Sequence, residues 1–154
     1  MWLGIGATIV TDLWAVARKR LLGIPLPDYG MVGRWFGHMG RGRFQHDRIA
    51  ASPAVPGERV IGWTAHYVIG IAFAAVLLAV CGIDWISHPT IAPALALGIA
   101  TVAAPFLLMQ PGMGAGIAAS RTPRPAAARV QSLVTHSVFG LGLYASGVAA
   151  SYLR

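Results

Sequence analysis

Charged residues are scarce in this sequence of 154 residues. Only 11% of its residues are charged, whereas soluble domains of similar size carry about a quarter. Acidic residues are scarcest, with 5 Asp and Glu against 12 Lys and Arg. The sequence is 56% hydrophobic and its mean hydropathy is +0.63, a composition that excludes an ordinary soluble domain. Apolar runs of about 20 residues instead predict membrane-spanning helices, because an open strand would leave its backbone groups unpaired in hydrocarbon.

Cysteine is nearly absent as well. Cys81 is the only one, so no intramolecular disulfide can form, and we expect it to pack as a small apolar residue. A net charge of +7 would suggest nucleic acid as the partner of a soluble protein. Here, however, the basic residues flank apolar runs, with eight between Arg18 and Arg59 and three between Arg121 and Arg129. The positive-inside rule produces this distribution, so the sequence predicts a lipid bilayer and no nucleic acid as partner.

Four apolar runs predict helices at about 2–22, 60–81, 90–110 and 130–153 of a single membrane domain, 1–154. The link 82–89 contains Asp84 and no Lys or Arg, so it is predicted to lie outside. The basic segments 23–59 and 111–129 are predicted to be inside loops, which leaves both termini outside. The first apolar run precedes its basic cluster, the reverse of the order in a cleavable signal peptide.

One segment occurs twice, at 49–70 and at 117–140. Both copies begin Ile-Ala-Ala-Ser and continue through prolines to Arg-Val; a histidine follows the arginine by seven residues, and a glycine follows four residues later. These residues are Arg59, His66 and Gly70 in the first copy and Arg129, His136 and Gly140 in the second. Each half of the chain contains two predicted helices, so the chain returns to its starting side after the first half. Both halves therefore have the same orientation in the membrane. The sequence therefore predicts an all-α fold of four transmembrane helices, built from a degenerate two-helix parallel repeat.

The histidines of this repeat share a predicted depth with an acidic residue. His66 and His136 each lie seven residues past a boundary arginine, roughly 10 Å into the membrane at about 1.5 Å per residue. Asp12 precedes Arg18 by six residues on a helix of opposite direction, which places it at about 9 Å. Gln110 lies slightly nearer the inside surface. Ionisable residues in lipid are costly, so these four residues are the predicted ligand or proton site.

Several chemistries fit this polar layer. Asp12, His66 and His136 are candidates for binding a divalent metal ion or for relaying protons. The two histidines, flanked by glycines, also fit a bis-histidine haem site. In a purely structural alternative, the same side chains hydrogen-bond between helices and fix their packing. The residues identify no particular cofactor.

Other features of the sequence carry weaker predictions. Arg34 and Trp35 in the long inside loop, and Arg121 in the second basic loop, are candidates for contact with lipid headgroups or the membrane interface. The glycines of the first loop argue against a stable isolated helix there. The segment after Gln110 is rich in glycine but lacks the Lys and Ser/Thr of a phosphate-binding loop. No nucleophile–base pairing specifies a hydrolase, so a non-enzymatic function is favoured.

The motifs together resemble a known family. Asp12-Leu13-Trp14, Gly62-Trp63 with His66-Tyr67, and the run from Gln110 to Gly116 are similar to those of small bacterial integral-membrane proteins of unknown function (domain of unknown function 2938). The resemblance covers essentially the whole chain. It implies a bacterial inner-membrane location and brings no reaction, substrate or catalytic residue.

Three functional hypotheses follow from the residues. The first is a membrane protein that transports or binds a proton, metal ion or small solute through Asp12, His66 and His136. The second is a non-catalytic subunit or scaffold whose helices pack against another membrane protein or a second copy of the chain. The third is a haem-, lipid- or quinone-binding protein, including an enzyme that acts on a lipid or quinone.

Overall fold

The computed structural model of the chain describes residues 1–152. Within that range all regular secondary structure is helical and no strand is present, which confirms the predicted all-α class. Five helices run in chain order: α1 Trp2–Leu22, α2 Tyr29–Met39, α3 Glu58–Cys81, α4 Ile91–Gly112 and α5 Pro125–Ser151. The predicted end of the last helix at Leu153 lies outside the described residues.

Three helices in residues 1–152, rather than the predicted four, are long and apolar enough to cross a membrane. These helices are α3, α4 and α5. Helix α1 has 21 residues, but every 18-residue stretch of it includes Asp12, Arg18 and Lys19. Its charge is therefore too high to identify a span by length and composition alone.

The helices divide into two compact units. The first unit comprises Met1–Pro27, Tyr67–Thr101 and the chain from Leu133, and it contains most of α1 and long parts of α3, α4 and α5. Its core consists of small and large apolar side chains in contact: Leu3, Ala7, Ala74, Leu77, Trp85, Ala94, Phe139 and Leu143. Val68 and Val80 of α3 are exposed, as expected for a helix that is long and apolar enough to cross a membrane.

Glycines bring the helices of the first unit close together. A Cβ atom on Gly98 of α4 would lie 2.5 Å from the Cα of Gly140 on α5. Gly70 of α3 similarly faces Thr8 and Gly4 of α1. These approaches agree with the general use of small residues at helix contacts in membranes, where apolar burial drives association only weakly.

The second unit comprises Asp28–His66 and Val102–Ser132, and its main surprise is helix α2. The glycines of this segment argue against a stable isolated helix, but Tyr29–Met39 is helical where it packs against α3. Asp28 caps it, because its carboxylate accepts hydrogen bonds from the backbone N–H groups of Gly30 and Met31. A Cβ at Gly33 would meet the Glu58 carbonyl of α3, so this glycine permits close packing that offsets its low helix propensity.

Helix α4 is irregular in the middle. It is α-helical over Ile91–Ala100, turns at Thr101, and continues as a π-helix over Pro105–Met109. Pro105 begins the π-helix, consistent with the loss of a backbone donor and the steric demand that proline imposes inside a helix. Helix α5 begins at Pro125 rather than at the predicted Val130, because proline is well suited to the first position of a helix.

The two Ile-Ala-Ala sequences of the predicted repeat both form short 3₁₀ turns, Ile49–Ala51 and Ile117–Ala119. Their backbones differ, however. Ala118 and Ala119 have positive φ values of 47° and 58°, whereas no residue of the first turn does. The parallel repeat therefore stays a prediction from sequence.

Candidate functional site

Asp12 lies on α1 in the first unit and has a partner on α3. The Tyr67 hydroxyl donates a hydrogen bond to its Oδ2 atom at 3.0 Å. Both side chains are partly buried, and the bond joins two helices separated by 55 positions in the sequence. The Asp12 carboxylate thus accepts a hydrogen bond from a side chain of another helix.

His136, also in the first unit, is held by Thr101 of α4. The Thr101 hydroxyl lies 2.6 Å from the Gly98 carbonyl and 2.8 Å from His136 Nδ1. A carbonyl oxygen can only accept, so the single hydroxyl proton of Thr101 goes to Gly98 and its oxygen accepts from Nδ1–H. Neutral His136 therefore carries its proton on Nδ1, and its Nε2 has a free lone pair able to accept a proton or bind a ligand.

His66 belongs to the second unit and contacts α2. Its Nε2 atom lies 2.9 Å from the Tyr29 hydroxyl, and the two rings stack with centroids 4.2 Å apart. A Cβ at Gly62, one turn earlier on α3, would meet the Tyr29 carbonyl. The glycine therefore permits the approach that brings Tyr29 to the histidine. Haem ligation through His66 Nε2 would require replacement of this hydrogen bond.

Gln110 follows the π-helix in the second unit. Its Oε1 atom is buried and accepts no hydrogen bond from any group in residues 1–152. π-Helical segments are rare and occur frequently at functional sites, because they redirect side chains locally. This buried amide oxygen keeps Gln110 among the candidate site residues.

The structure does not support the hypothesis that Asp12, His66 and His136 together bind a metal ion. Among residues 1–152, no group of three or more His, Cys, Asp or Glu side chains is placed to hold a metal ion. Asp12, His66 and His136 therefore do not form such a group. Each of them instead has a hydroxyl group among its partners, that of Tyr67, Tyr29 and Thr101 respectively.

Arg34 and Trp35, two of the predicted interface residues, take part in internal packing of the second unit. The Arg34 guanidinium donates two hydrogen bonds to the Glu58 carboxylate, both at 2.8 Å. Trp35 is 8% exposed, and its indole N–H donates to the Phe44 carbonyl. Arg121 is exposed. The sequence does not show that α2 packs against α3, so the internal contacts of Arg34 and Trp35 could not be predicted from it.

Two histidines that carry no periodic signal in the sequence are buried in the second unit. His38 of α2 is 7% exposed and His46 of the following loop is 5% exposed. Their ring centroids are 5.0 Å apart. Burial lowers the pKa of His46 despite its hydrogen bond to the Gly112 carbonyl, and the positive charge of Arg43 lowers it further. His46 is therefore neutral at neutral pH.

The loop that carries His46 is fixed to the end of α4. The backbone N–H of His46 donates to the Gly112 carbonyl, and that of Ile49 donates to the Met113 carbonyl. A Cβ on Gly112 would contact the Trp35 indole. The glycine-rich segment after Gln110 thus packs closely against α2 and the following loop, and does not form an open phosphate-binding loop.

A family model of proteins of unknown function matches residues 1–150. The chain belongs to the DUF2938 family. The match covers nearly the whole of this DUF2938 protein, as the sequence motifs predict. No curated protein and no solved structure matches it.

Proposed function

We propose that this DUF2938 protein is a bacterial inner-membrane protein with four spans, and that it binds and exchanges protons at Asp12, His66 and His136. The proposal takes α1 as the fourth span. Two observations support this assignment. Tyr67 donates a hydrogen bond to Asp12, and the Arg18 side chain is only 4% exposed. Two of the charges of α1 then avoid contact with lipid. The basic loops lie inside and both termini outside by the positive-inside rule.

The observation that carries the proposal is the hydroxyl partner of each ionisable side chain. His136 Nδ1 donates to Thr101, and this bond is unchanged whether Nε2 is protonated or not. Proton exchange at Nε2 therefore requires no rearrangement of the helix contact. Such an arrangement suits a site that titrates within a packed bundle.

The other two groups have the same property. Tyr29 can donate to neutral His66 Nε2 or accept from a protonated one, because a hydroxyl has both functions. Tyr67 donates to Asp12 Oδ2 both when the carboxylate is ionised and when Oδ1 carries the proton. Each site retains its partner through a protonation cycle.

Proton movement across vesicles tests this function. We expect purified protein in liposomes with an internal pH-sensitive dye to dissipate an imposed pH gradient faster than empty liposomes, with the membrane potential clamped. Asp12→Asn and His136→Gln should return the rate to that of empty vesicles. The reason is that Asn still accepts from Tyr67 and Gln still donates to Thr101, yet neither side chain titrates.

His88→Gln is the matched control, because His88 is exposed in the link between α3 and α4. This variant should behave as the wild type. A wild-type rate equal to that of empty liposomes would overturn the proton function, and so would an unchanged rate in Asp12→Asn.

A structural role is the second candidate, since the same hydrogen bonds join helices. The Tyr67–Asp12 bond links α3 to α1, and the His136–Thr101 bond links α5 to α4. Contacts of this kind contribute about 0.6–2 kcal/mol each in membranes. If Tyr67→Phe and Thr101→Val, which remove these bonds, lower thermal stability in detergent while proton flux is absent from the wild type, the scaffold function is favoured.

A further inference from the structure

His38 and His46, which the proposed proton exchange does not use, contact each other in the second unit. His38 lies near the end of α2, and His46 lies in the loop that follows it. Both side chains are more than nine-tenths buried. The ring centroids are 5.0 Å apart and the ring planes are inclined at 60°. The hydrogen bonds of both rings go to backbone carbonyls. Buried polar side-chain atoms in proteins almost always have a hydrogen-bond partner.

Backbone carbonyls fix which nitrogen of each ring is free. His38 Nε2 donates to the Pro53 carbonyl at 3.0 Å, so its Nδ1 has the lone pair. His46 Nδ1 donates to the Gly112 carbonyl at 3.3 Å, which leaves the lone pair on Nε2. His46 Nε2 is buried and has no hydrogen-bond partner in the described chain. Histidines that bind metals almost always donate their other N–H group to a carbonyl or carboxylate in this way.

The ring separation agrees with a tetrahedral metal ion. A Zn–N bond of about 2.0–2.1 Å places the centroid of a bound imidazole about 3.2 Å from the ion. Two such rings at a tetrahedral angle have centroids about 5.2 Å apart, whereas two rings on opposite sides of an ion lie about 6.4 Å apart. The measured 5.0 Å matches the tetrahedral arrangement.

We propose that His38 Nδ1 and His46 Nε2 together bind one divalent ion of the zinc class. Imidazole is a preferred ligand of zinc, nickel and copper ions. Residues 1–152 supply no third His, Cys, Asp or Glu ligand, so two coordination positions belong to water or to a small ligand.

Titration of untagged, metal-free protein in detergent with Co²⁺ and then Zn²⁺ tests the site. We expect one equivalent of Co²⁺ to bind with the visible absorption of a tetrahedral complex, and Zn²⁺ to displace it. His38→Gln and His46→Gln should each weaken binding by about tenfold or more, because each removes one of two protein ligands. Glutamine keeps a side-chain donor for the carbonyl that each histidine contacts.

His88→Gln is again the control, since His88 is exposed outside this unit and should not affect binding. Absence of stoichiometric Co²⁺ binding by the wild type would overturn the site, as would equal affinity of the double variant His38→Gln/His46→Gln. If the variants do not fold, X-ray absorption of the zinc-loaded wild type decides. Two imidazole ligands support the proposal, and one or none contradicts it. Neither result depends on proton flux.

Discussion

Gly98→Ala should destabilise the protein by about 3 kcal/mol, near the upper end for overpacking a helix contact. The new Cβ would lie 2.5 Å from Gly140 Cα, 2.6 Å from Gly140 N and 2.7 Å from the His136 carbonyl oxygen. All three atoms belong to the main chain, so no side-chain rotation relieves the contact and α4 must move away from α5. The gain in helix propensity from Gly to Ala is only about 0.5–1 kcal/mol, too small to compensate.

Thermal or denaturant unfolding in detergent, followed by circular dichroism, measures this effect. Ala96→Val is the matched control because Ala96 is exposed on the same helix and also gains apolar volume. It should leave the unfolding free energy within about 0.5 kcal/mol of the wild type. Equal stabilities of Gly98→Ala and the wild type would contradict the close approach of α4 and α5.

Gly114→Ala should be the second strongly destabilising substitution, at about 3 kcal/mol or more, because it combines two costs. Gly114 has φ of +92°, a conformation that a residue with a Cβ adopts at a cost of about 1–2 kcal/mol. The Cβ would in addition contact the Asp47 carbonyl and lie 2.7 Å from the His46 carbonyl oxygen. The loop 43–49 would have to leave its position against the end of α4.

Gly42→Ala separates the two costs. Gly42 also has a positive φ, +79°, but no atom lies within 4 Å of its Cβ position. This variant should therefore lose only the conformational part, about 1–2 kcal/mol. The same unfolding assay compares them. If both variants lose equal stability, the loop does not pack against Gly114.

The helical framework could be predicted because its signals are local. Long apolar runs and the turns that follow them identify α3, α4 and α5 without any tertiary information. Helix α1 was predicted at 2–22 and is present there, but Asp12, Arg18 and Lys19 prevent its identification as a span from length and composition. A stable helix α2 could not be predicted, since glycine has a low helix propensity. Its glycines become favourable only where they permit close packing against a neighbouring helix.

The candidate site was predictable in part for the same reason. The rarity of ionisable residues in apolar helices is visible in sequence and identifies Asp12, His66 and His136. Their partners are ordinary residues, Tyr67, Tyr29 and Thr101, which gain significance only from contacts between distant segments. His38 lies near the end of α2 and His46 in the loop that follows it, so their burial leaves no periodic pattern in the sequence.

The π-helix over Pro105–Met109 bears on how the two halves of the chain can be compared. An i→i+5 turn contains one residue more than an α-helical turn, and the N–H of Gln110 donates to the Pro105 carbonyl in this way. Helix α1 is a continuous α-helix over Trp2–Leu22 and contains no such turn. A residue-by-residue alignment of α1 with α4 therefore requires a one-residue gap at the π-helix. Without that gap, residues that follow it in α4 are paired with positions on the wrong face of α1.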